Sequence, residues 1–368
     1  MAHYMFVTWD GGGNRMPTIA VARALAERGH DVRVLGHDAQ AAAFRAAGLR
    51  FTPYPSAPGF VLDPRPAGLL GLFTDRGLAD DTVAQLAANP VDVVVVDCML
   101  LSVLDVLDRM DQRFAILEHT LHDFLARGAR ALAVLVWPRG VRVSRPRSHA
   151  APIVVASVPS LRVPFPAQPA LSAAPGTVVY AGAMTPAVAA HPAQPTVVLS
   201  LSTFRFPGLV ASWQRVLDAV DGLEAHVVAT LGPALRAGEV RVPAGVEVHE
   251  WMPHEQVLPR ASLVVGHGGH GTTLAALAHG VPVLALPLDA TSDQPRIARA
   301  VTSAGVGETL PSRSGPHAIR ATVERMLASS ALHSRAERLG AAIRELDGPR
   351  RAADVLELSA SARGRRDQ

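Results

Sequence analysis

The sequence predicts an α/β protein of two domains, each built on a parallel sheet. The chain has 368 residues, whereas one hydrophobic core usually serves about 150 residues. Apolar residues make up 49% and aromatic residues only 5%, a mixture typical of valine-rich buried strands and alanine- and leucine-rich helices. Short apolar runs alternate with helical patterns, which implies right-handed crossovers and parallel strands.

The first half alternates from its start. The helical patterns end at Gly29 and Gly48, and one run holds five valines in six positions, as strands buried on both faces do. We predict strands at His3–Thr8, Asp31–Gly36, Val91–Val96 and Arg113–Leu117, with helices at Thr18–Arg28 and Ala39–Ala47.

Prolines recur at short intervals between Trp137 and Pro195, which indicates loops and a linker. We predict only two strands there, Ile153–Ser157 and Thr177–Tyr180, and place the domain boundary between Gly182 and Pro195.

The second half repeats the alternation and closes with two further helices that reach about Leu358. Two similar α/β halves predict a ligand cleft between them. The predicted strands are Thr196–Leu201, Ala225–Thr230, Val246–His249, Ser262–Gly266 and Val281–Ala285, and the helices Gly208–Val220, Thr272–His279 and Gln294–Ala304.

Composition and charge narrow the class of protein. All 35 Lys and Arg residues are arginine, and the formal net charge is +3. The dense runs at Arg139–Arg147 and Arg363–Arg366 are interpreted as a solvated loop and a chain end, because a nucleic-acid surface pairs clustered Arg with stacking aromatics. The single cysteine, Cys98, excludes an internal disulfide and, by the same count, a cysteine-based metal site. No apolar stretch has the length of a signal or membrane segment, so we expect a cytoplasmic protein.

The segment LVVGHGGHGTTLAAL is a strand that enters a glycine-rich turn and then a helix. Its glycines let the backbone approach a ligand, and the helix-start amides of Gly271, Thr272 and Thr273 are predicted to face a diphosphate. His267 can add a donor to the same anion. The turn lacks the GxxxxGK[ST] pattern of a P-loop, and it lies too late in its half for a first dinucleotide-binding turn.

The region Trp251–Gln294 resembles the nucleotide-sugar glycosyltransferases of the GT-B fold, the family that holds UDP-glycosyltransferases and antibiotic-tailoring enzymes. The resemblance covers nearly the whole chain. It implies that a Trp-x-Pro segment borders the nucleobase, that the turn holds the diphosphate, that an Asp-Gln pair bonds the sugar hydroxyls, and that a serine lies near the phosphates. These roles map onto Trp251, Met252 and Pro253; His267, Gly269, Gly271 and Thr272; Asp293 and Gln294; and Ser202.

The same resemblance implies a fold and an activity. Residues 1–185 would form the acceptor-binding domain, residues 195–345 the donor-binding domain, and residues 346–368 a C-terminal helix and tail. We expect inverting, metal-independent transfer of a sugar or deoxysugar from TDP- or UDP-sugar to a small apolar natural-product acceptor, without a further cofactor. Neither nucleic acid nor membrane is expected as a partner, and a homodimer is left open. His254 stands where many plant members have Gln, and the Asn that often follows the Asp-Gln pair is missing.

The general base departs from the family pattern. Members often use a His in the loop after the first strand, oriented by an Asp after a later strand. Asp97 matches that Asp, but Asn14 stands in place of the His, and an amide cannot accept the proton. His119 is our first choice as the base, with Asp97 as its partner or as the base itself, and Asp10 is a third candidate.

The acceptor side is the least defined. Phe60, Phe73, Phe124 and His122 are candidates for contacts with the acceptor, although core packing explains each phenylalanine as well. The stretch from Leu121 to Pro152 is short for this family, which predicts a smaller or more open acceptor site, or one that a partner completes. Two rival functions remain: a nucleotide-sugar epimerase on the same fold, and a binding or helper protein that has lost catalysis, which Asn14 supports.

Overall fold

The computed structural model describes residues 1–63, 65–110, 112–143, 150–166, 171–172, 174–236 and 238–361. The chain forms two compact units. The first unit comprises Met1–Ser157, Ala167–Met184 and Asp347–Gln368, and the second comprises Val158–Pro166 and Thr185–Leu346. Part of each predicted arginine run (Arg145, Arg147, Arg363, Arg365 and Arg366) lies outside the described residues.

The first unit is built on a seven-stranded parallel sheet in the order β3-β2-β1-β4-β5-β6-β7. Its strands are β1 (His3–Val7), β2 (Asp31–Gly36), β3 (Arg50–Pro53), β4 (Val93–Asp97), β5 (Phe114–Glu118), β6 (Ala150–Val155) and β7 (Val178–Tyr180). Its helices are α1 (Arg15–Glu27), α2 (Ala41–Ala46), α3 (Pro66–Phe73), α4 (Arg76–Ala88), α5 (Leu101–Arg109) and α6 (His122–Val136).

Both faces of this sheet are buried. Side chains alternate along β1, so that Met5 and Val7 belong to one apolar cluster while Tyr4 and Phe6 belong to another. Such two-sided burial is the reason for the uninterrupted valines of β4.

The second unit holds a six-stranded parallel sheet in the order β10-β9-β8-β11-β12-β13. The strands are β8 (Thr196–Ser200), β9 (His226–Thr230), β10 (Val246–His249), β11 (Leu263–Gly266), β12 (Val283–Ala285) and β13 (Gly307–Thr309). The helices are α7 (Leu209–Val220), α8 (His254–Val257), α9 (His270–Ala278), α10 (Gln294–Ala304), α11 (Pro316–Leu327) and α12 (Ser330–Arg344).

The last described helix, α13 (Gly348–Ser361), returns to the first unit and packs against α1. Its residues Ala352, Ala353, Val355 and Leu356 are buried in the cluster that contains Tyr4. The Tyr4 hydroxyl donates to the Leu356 carbonyl, and Arg28 pairs with Glu357 at 2.8 Å. The C-terminal segment is therefore part of the core of the first unit.

The structure corrects several predicted elements. Three helices follow α10 where two were predicted. The short edge strands β3 and β13 were missed, because they are defined by pairing with β2 and β12 and not by an apolar pattern of their own. The proline-rich middle contains the two predicted strands. No helix in the described part of the chain combines the length and apolar character that a membrane crossing needs.

Candidate active site

The order of the strands in the first sheet indicates where a ligand-binding site would lie. The chain winds outward in both directions from β1 and β4, which are neighbours in the sheet. A parallel sheet binds ligands outside the carboxyl ends of its strands at such a switch point. The loop after β1 and the end of β4 meet there, and they carry Asn14 and Asp97.

Asn14 precedes α1 but does not cap it with its side chain. Its amide nitrogen instead donates to the Asp97 carboxylate (2.8 Å) and the Trp9 carbonyl (2.9 Å). This geometry assigns the orientation of the amide, since only the nitrogen can donate. The Asn14 Oδ1 atom is consequently left buried with no partner among the described residues, and it is suited to accept a hydrogen bond from a bound molecule.

Asp97 connects this amide to His119. The Asp97 carboxylate is buried, accepts from the Met99 amide at 3.0 Å, and lies 3.5 Å from His119 Nδ1. His119 follows β5, and its side chain is 18% exposed. An Nδ1–H directed at the carboxylate leaves the Nε2 lone pair as the available proton acceptor. The structure thus places the predicted base and its predicted partner together.

Cys98 also belongs to this cluster, although the sequence argument gave it no role in a site. Its sulfur lies 3.7 Å from His119 Nδ1, and the ligand atoms of Asp97, Cys98 and His119 all lie within 4.8 Å of one another. The exclusion of a cysteine-based metal site counted cysteines alone and did not consider ligands of other types beside Cys98. One cysteine is enough when the fold adds a carboxylate and an imidazole to it.

Three predicted residues, Asp10, Phe60 and Phe73, lie against His37 and Trp9, which sequence reasoning missed. The Asp10 amide donates to His37 Nδ1 at 3.1 Å, and the His37 ring stacks on Phe60 with 3.8 Å between ring centres. Burial lowers the pKa of His37 to about 4. Phe73 packs edge-on against Trp9 at 5.4 Å. His37 directly follows β2, so the rule that selected Asp97 would also have found it.

His122, another residue predicted to contact the acceptor, has different neighbours. His122 is the first residue of α6, and its Nδ1 lies 2.7 Å from the carboxylate of Glu118, which is fully buried. Its ring meets Tyr180 edge-on at 6.4 Å. This contact holds the His122 ring against Glu118 at the start of α6.

The second sheet has its own switch point between β8 and β11. Ser202 follows β8 and His267 follows β11, so the topology brings these two predicted residues to the same edge. Ser202 is buried, and its hydroxyl accepts from the Phe204 amide at 3.0 Å. Two predicted donor-site positions are thus neighbours for a reason that the linear sequence does not show.

The glycine-rich turn requires its glycines. Gly268 has φ +79°, and a Cβ atom at Gly269 would lie 2.5 Å from His267 Nε2. Helix α9 then begins at His270 without a side-chain cap and without an acidic residue in its first turn. Its first-turn amides have no acceptor within the helix, and an anion is the partner that such a start favours.

The helix start differs from the predicted one. The Thr273 amide bonds to the Gly269 carbonyl at 3.0 Å, because α9 begins at His270 and not at Thr272. Thr273 therefore cannot offer its amide to a diphosphate, whereas Gly271 and Thr272 lie in the first turn.

His267 is a neutral donor or acceptor at this edge. Burial lowers the pKa of His267 to about 4, and its Nδ1 has no partner among the described residues. A neutral imidazole retains one N–H, which it can donate to a phosphate oxygen without carrying a charge.

Asp293 and Gln294 open helix α10, which follows β12. Gln294 is buried, and its Oε1 accepts from the amides of Leu288 (2.7 Å) and Asp289 (3.1 Å). Its side chain therefore holds the loop before α10. A Cβ at Gly268 would lie 3.4 Å from the Gln294 carbonyl, so this helix start and the glycine-rich turn are in close approach.

Trp251 and Met252 follow β10, at the same end of the second sheet. The Trp251 side chain is 62% exposed, an unusual exposure for a large apolar ring. Met252 is half-buried, with its sulfur 4.0 Å from an Arg260 guanidinium nitrogen. An exposed indole beside a polar turn is a suitable surface for stacking a planar ring.

Two parallel-sheet units, each with its polar residues at a switch point, define a two-domain α/β protein that can hold a small anionic ligand in its second unit. Comparison with known proteins finds a domain family that matches part of the chain. Residues 214–357 match the domain family described as "Erythromycin biosynthesis protein CIII-like, C-terminal domain".

Individual relatives and a solved structure are also similar to this chain, over different shares of its length. The demethyllactenocin mycarosyltransferase of Streptomyces fradiae is 32% identical over 45% of this chain and 35% of its own length. The 4'-demethylrebeccamycin synthase of Lentzea aerocolonigenes is 27% identical over 85% of this chain and 88% of its own. The crystal structure of the glycosyltransferase VinC in complex with dTDP superposes with a TM-score of 0.71, at 20% identity, covering 98% of this chain and 100% of that one.

The resemblance inferred from the motifs is therefore confirmed. The chain has the GT-B fold, and residues 214–357 are similar to the erythromycin biosynthesis protein CIII-like C-terminal domain. The match to the mycarosyltransferase spans about a third of that relative's length.

Proposed function

We propose that this protein is a natural-product glycosyltransferase that moves a deoxysugar from a TDP-sugar onto a hydroxyl of a small apolar acceptor. The glycine-rich turn into α9 carries the proposal, because an uncapped helix start beside the neutral His267 is built to hold a diphosphate. A TDP-sugar is placed before a UDP-sugar because VinC, which shares the fold, holds dTDP.

The acceptor is assigned to the first unit. The Asn14 Oδ1, which has no partner within the described part of the chain, can accept a hydrogen bond from the acceptor, and His119 Nε2 can take the proton of the reacting hydroxyl. Asp97 stabilises the imidazolium that forms, since its carboxylate lies 3.5 Å from Nδ1. Phe60, the partly exposed member of the His37–Phe60 stack, can contact an apolar acceptor at this sheet edge.

The chemistry is a single displacement with inversion. The acceptor oxygen forms a bond to the anomeric carbon as the bond from that carbon to the diphosphate oxygen breaks, and the proton of the hydroxyl moves to His119. The departing diphosphate carries the new negative charge. First-turn amides of α9 and the His267 N–H stabilise this charge, which supports turnover without an added metal.

The function is tested by incubating the protein with a panel of TDP- and UDP-sugars, first alone and then with aromatic acceptors. A sugar nucleotide that raises the melting temperature identifies the donor, and mass spectrometry then detects the glycosylated acceptor. Donor binding together with epimerised sugar would support the epimerase. Donor binding without any product would support the helper protein, a function that Asn14 favours because it stands in place of the expected His. The absence of any nucleotide-dependent stabilisation would reject the proposed donor site.

A further inference from the structure

The cluster of Asp97, Cys98 and His119 offers three different ligand atoms at the end of two neighbouring strands. Asp97 ends β4, Cys98 follows it, and His119 follows β5, which pairs with β4. The distances from His119 Nδ1 are 3.7 Å to the Cys98 sulfur and 3.5 Å to the Asp97 carboxylate.

The two separations from His119 Nδ1 match two edges of a zinc coordination tetrahedron. Zinc lies about 2.3 Å from a thiolate, about 2.0–2.1 Å from an imidazole nitrogen and about 2.0–2.2 Å from a carboxylate oxygen. At tetrahedral angles these bond lengths place nitrogen about 3.6 Å from sulfur and about 3.4 Å from oxygen. The third edge, between the Asp97 oxygen and the Cys98 sulfur, lies within 4.8 Å and closes to its tetrahedral length when the two side chains turn toward a shared ion.

The charges and surroundings also suit a divalent cation. A carboxylate and a thiolate together carry two negative charges, which neutralise the ion in a place where Asp97 is 4% and Cys98 8% exposed. The Asn14 amide donates to the same carboxylate at 2.8 Å and orients it, as outer partners of metal ligands do. A sulfur and a nitrogen ligand select zinc over magnesium or calcium.

We propose that Asp97, Cys98 and His119 form a zinc-binding site, and that zinc bound there inhibits transfer. The inhibition rests on the proposed function, whereas the binding does not. Zinc binds the thiolate of Cys98, and the thiol proton is released to the buffer. Coordination at His119 Nδ1 moves the proton of that ring to Nε2, which then has no lone pair to accept the acceptor's proton. The ion thus competes with the role of His119 as a base.

Binding is tested on the metal-stripped full chain with zinc alone and with cobalt as a spectroscopic probe. We expect one zinc per chain by equilibrium dialysis, the release of one proton per zinc by calorimetry in two buffers, and a thiolate-to-cobalt charge-transfer band. Cys98→Ser and Cys98→Ala should lose the band and bind zinc at least about 100-fold more weakly. The matched control is His249→Ala, which removes an imidazole from the His226, Glu247 and His249 group of the second unit and should change neither result.

Inhibition is measured as the zinc concentration that halves the activity of each variant relative to its own metal-free rate. Zinc should inhibit the unmodified protein and His249→Ala, EDTA should restore the rate, and the Cys98 variants should resist. A cobalt complex without a thiolate band, or equal zinc affinity in folded Cys98 variants and unmodified protein, overturns the site. If the band appears but no variant transfers sugar, the zinc site stands and the proposed function fails.

Discussion

Replacing His119 tests the proposed mechanism most directly. Loss of a general base typically slows the chemical step by about 10²–10⁴-fold, which corresponds to about 3–5.5 kcal/mol of activation free energy. We therefore expect His119→Ala to lower kcat by that factor. The binding of the nucleotide should hardly change, since His119 belongs to the first unit and the donor residues to the second.

The distance between Asp97 and His119 sets the expected effect of Asp97→Asn. Two unit charges 3.5 Å apart interact by about 5 kcal/mol at an effective dielectric constant of about 20. Because the His119 side chain is 18% exposed, solvent screens part of this energy, and we expect kcat to fall by about 10²–10³-fold. Asn14→Ala should mainly raise KM for the acceptor, by about tenfold or less, through loss of one hydrogen bond.

Single-turnover rates and nucleotide titrations, with circular dichroism to confirm folding, separate these effects. Near-normal kcat in His119→Ala, combined with its loss in Asp10→Asn or Asp97→Asn, would identify a carboxylate as the base. If none of the four substitutions changes the rate, the transferase mechanism is refuted and the helper-protein interpretation gains support.

Three further predictions concern the donor, the metal and pH. A nucleoside diphosphate should raise the melting temperature of the unmodified protein more than that of His267→Ala, and equal shifts would argue against the donor assignment. Transfer should survive EDTA; a loss that Mg²⁺ or Mn²⁺ restores would contradict metal independence. Burial lowers the pKa of His37 to about 4, below its ordinary value of about 6.5. The unfolded chain therefore takes up the proton more readily, and the free energy of unfolding decreases as pH falls from about 6.5 toward 4. At pH 5 this decrease in the free energy of unfolding is roughly 2 kcal/mol. Urea unfolding at pH 7 and pH 5 should show a smaller decrease for His37→Gln, whereas the exposed control His317→Gln should behave like the unmodified protein.

The amino-acid pattern alone determined the architecture and the presence of the glycine-rich turn. The valine run of β4, the glycines that end helices and the GHGGHGTT turn are local signals, because helix and strand periods and glycine conformations are properties of short segments. The edge strands β3 and β13 were not predicted, because their pairing with β2 and β12 defines them more than their own composition does. The C-terminal helix α13 was predicted, but its packing against α1 follows only from the tertiary structure.

Only the tertiary structure decided what the polar residues can do together. Asp97 and His119 are 22 residues apart in the chain, and sheet order places their side chains 3.5 Å apart. The orientation of the Asn14 amide, the engagement of Gln294 with the Leu288 and Asp289 amides, and the presence of Cys98 beside His119 depend likewise on contacts between distant segments. Residue types at intervals predict which chemistry a chain can support, but hydrogen bonds and metal ligands require distances of a few ångströms, and packing alone sets those.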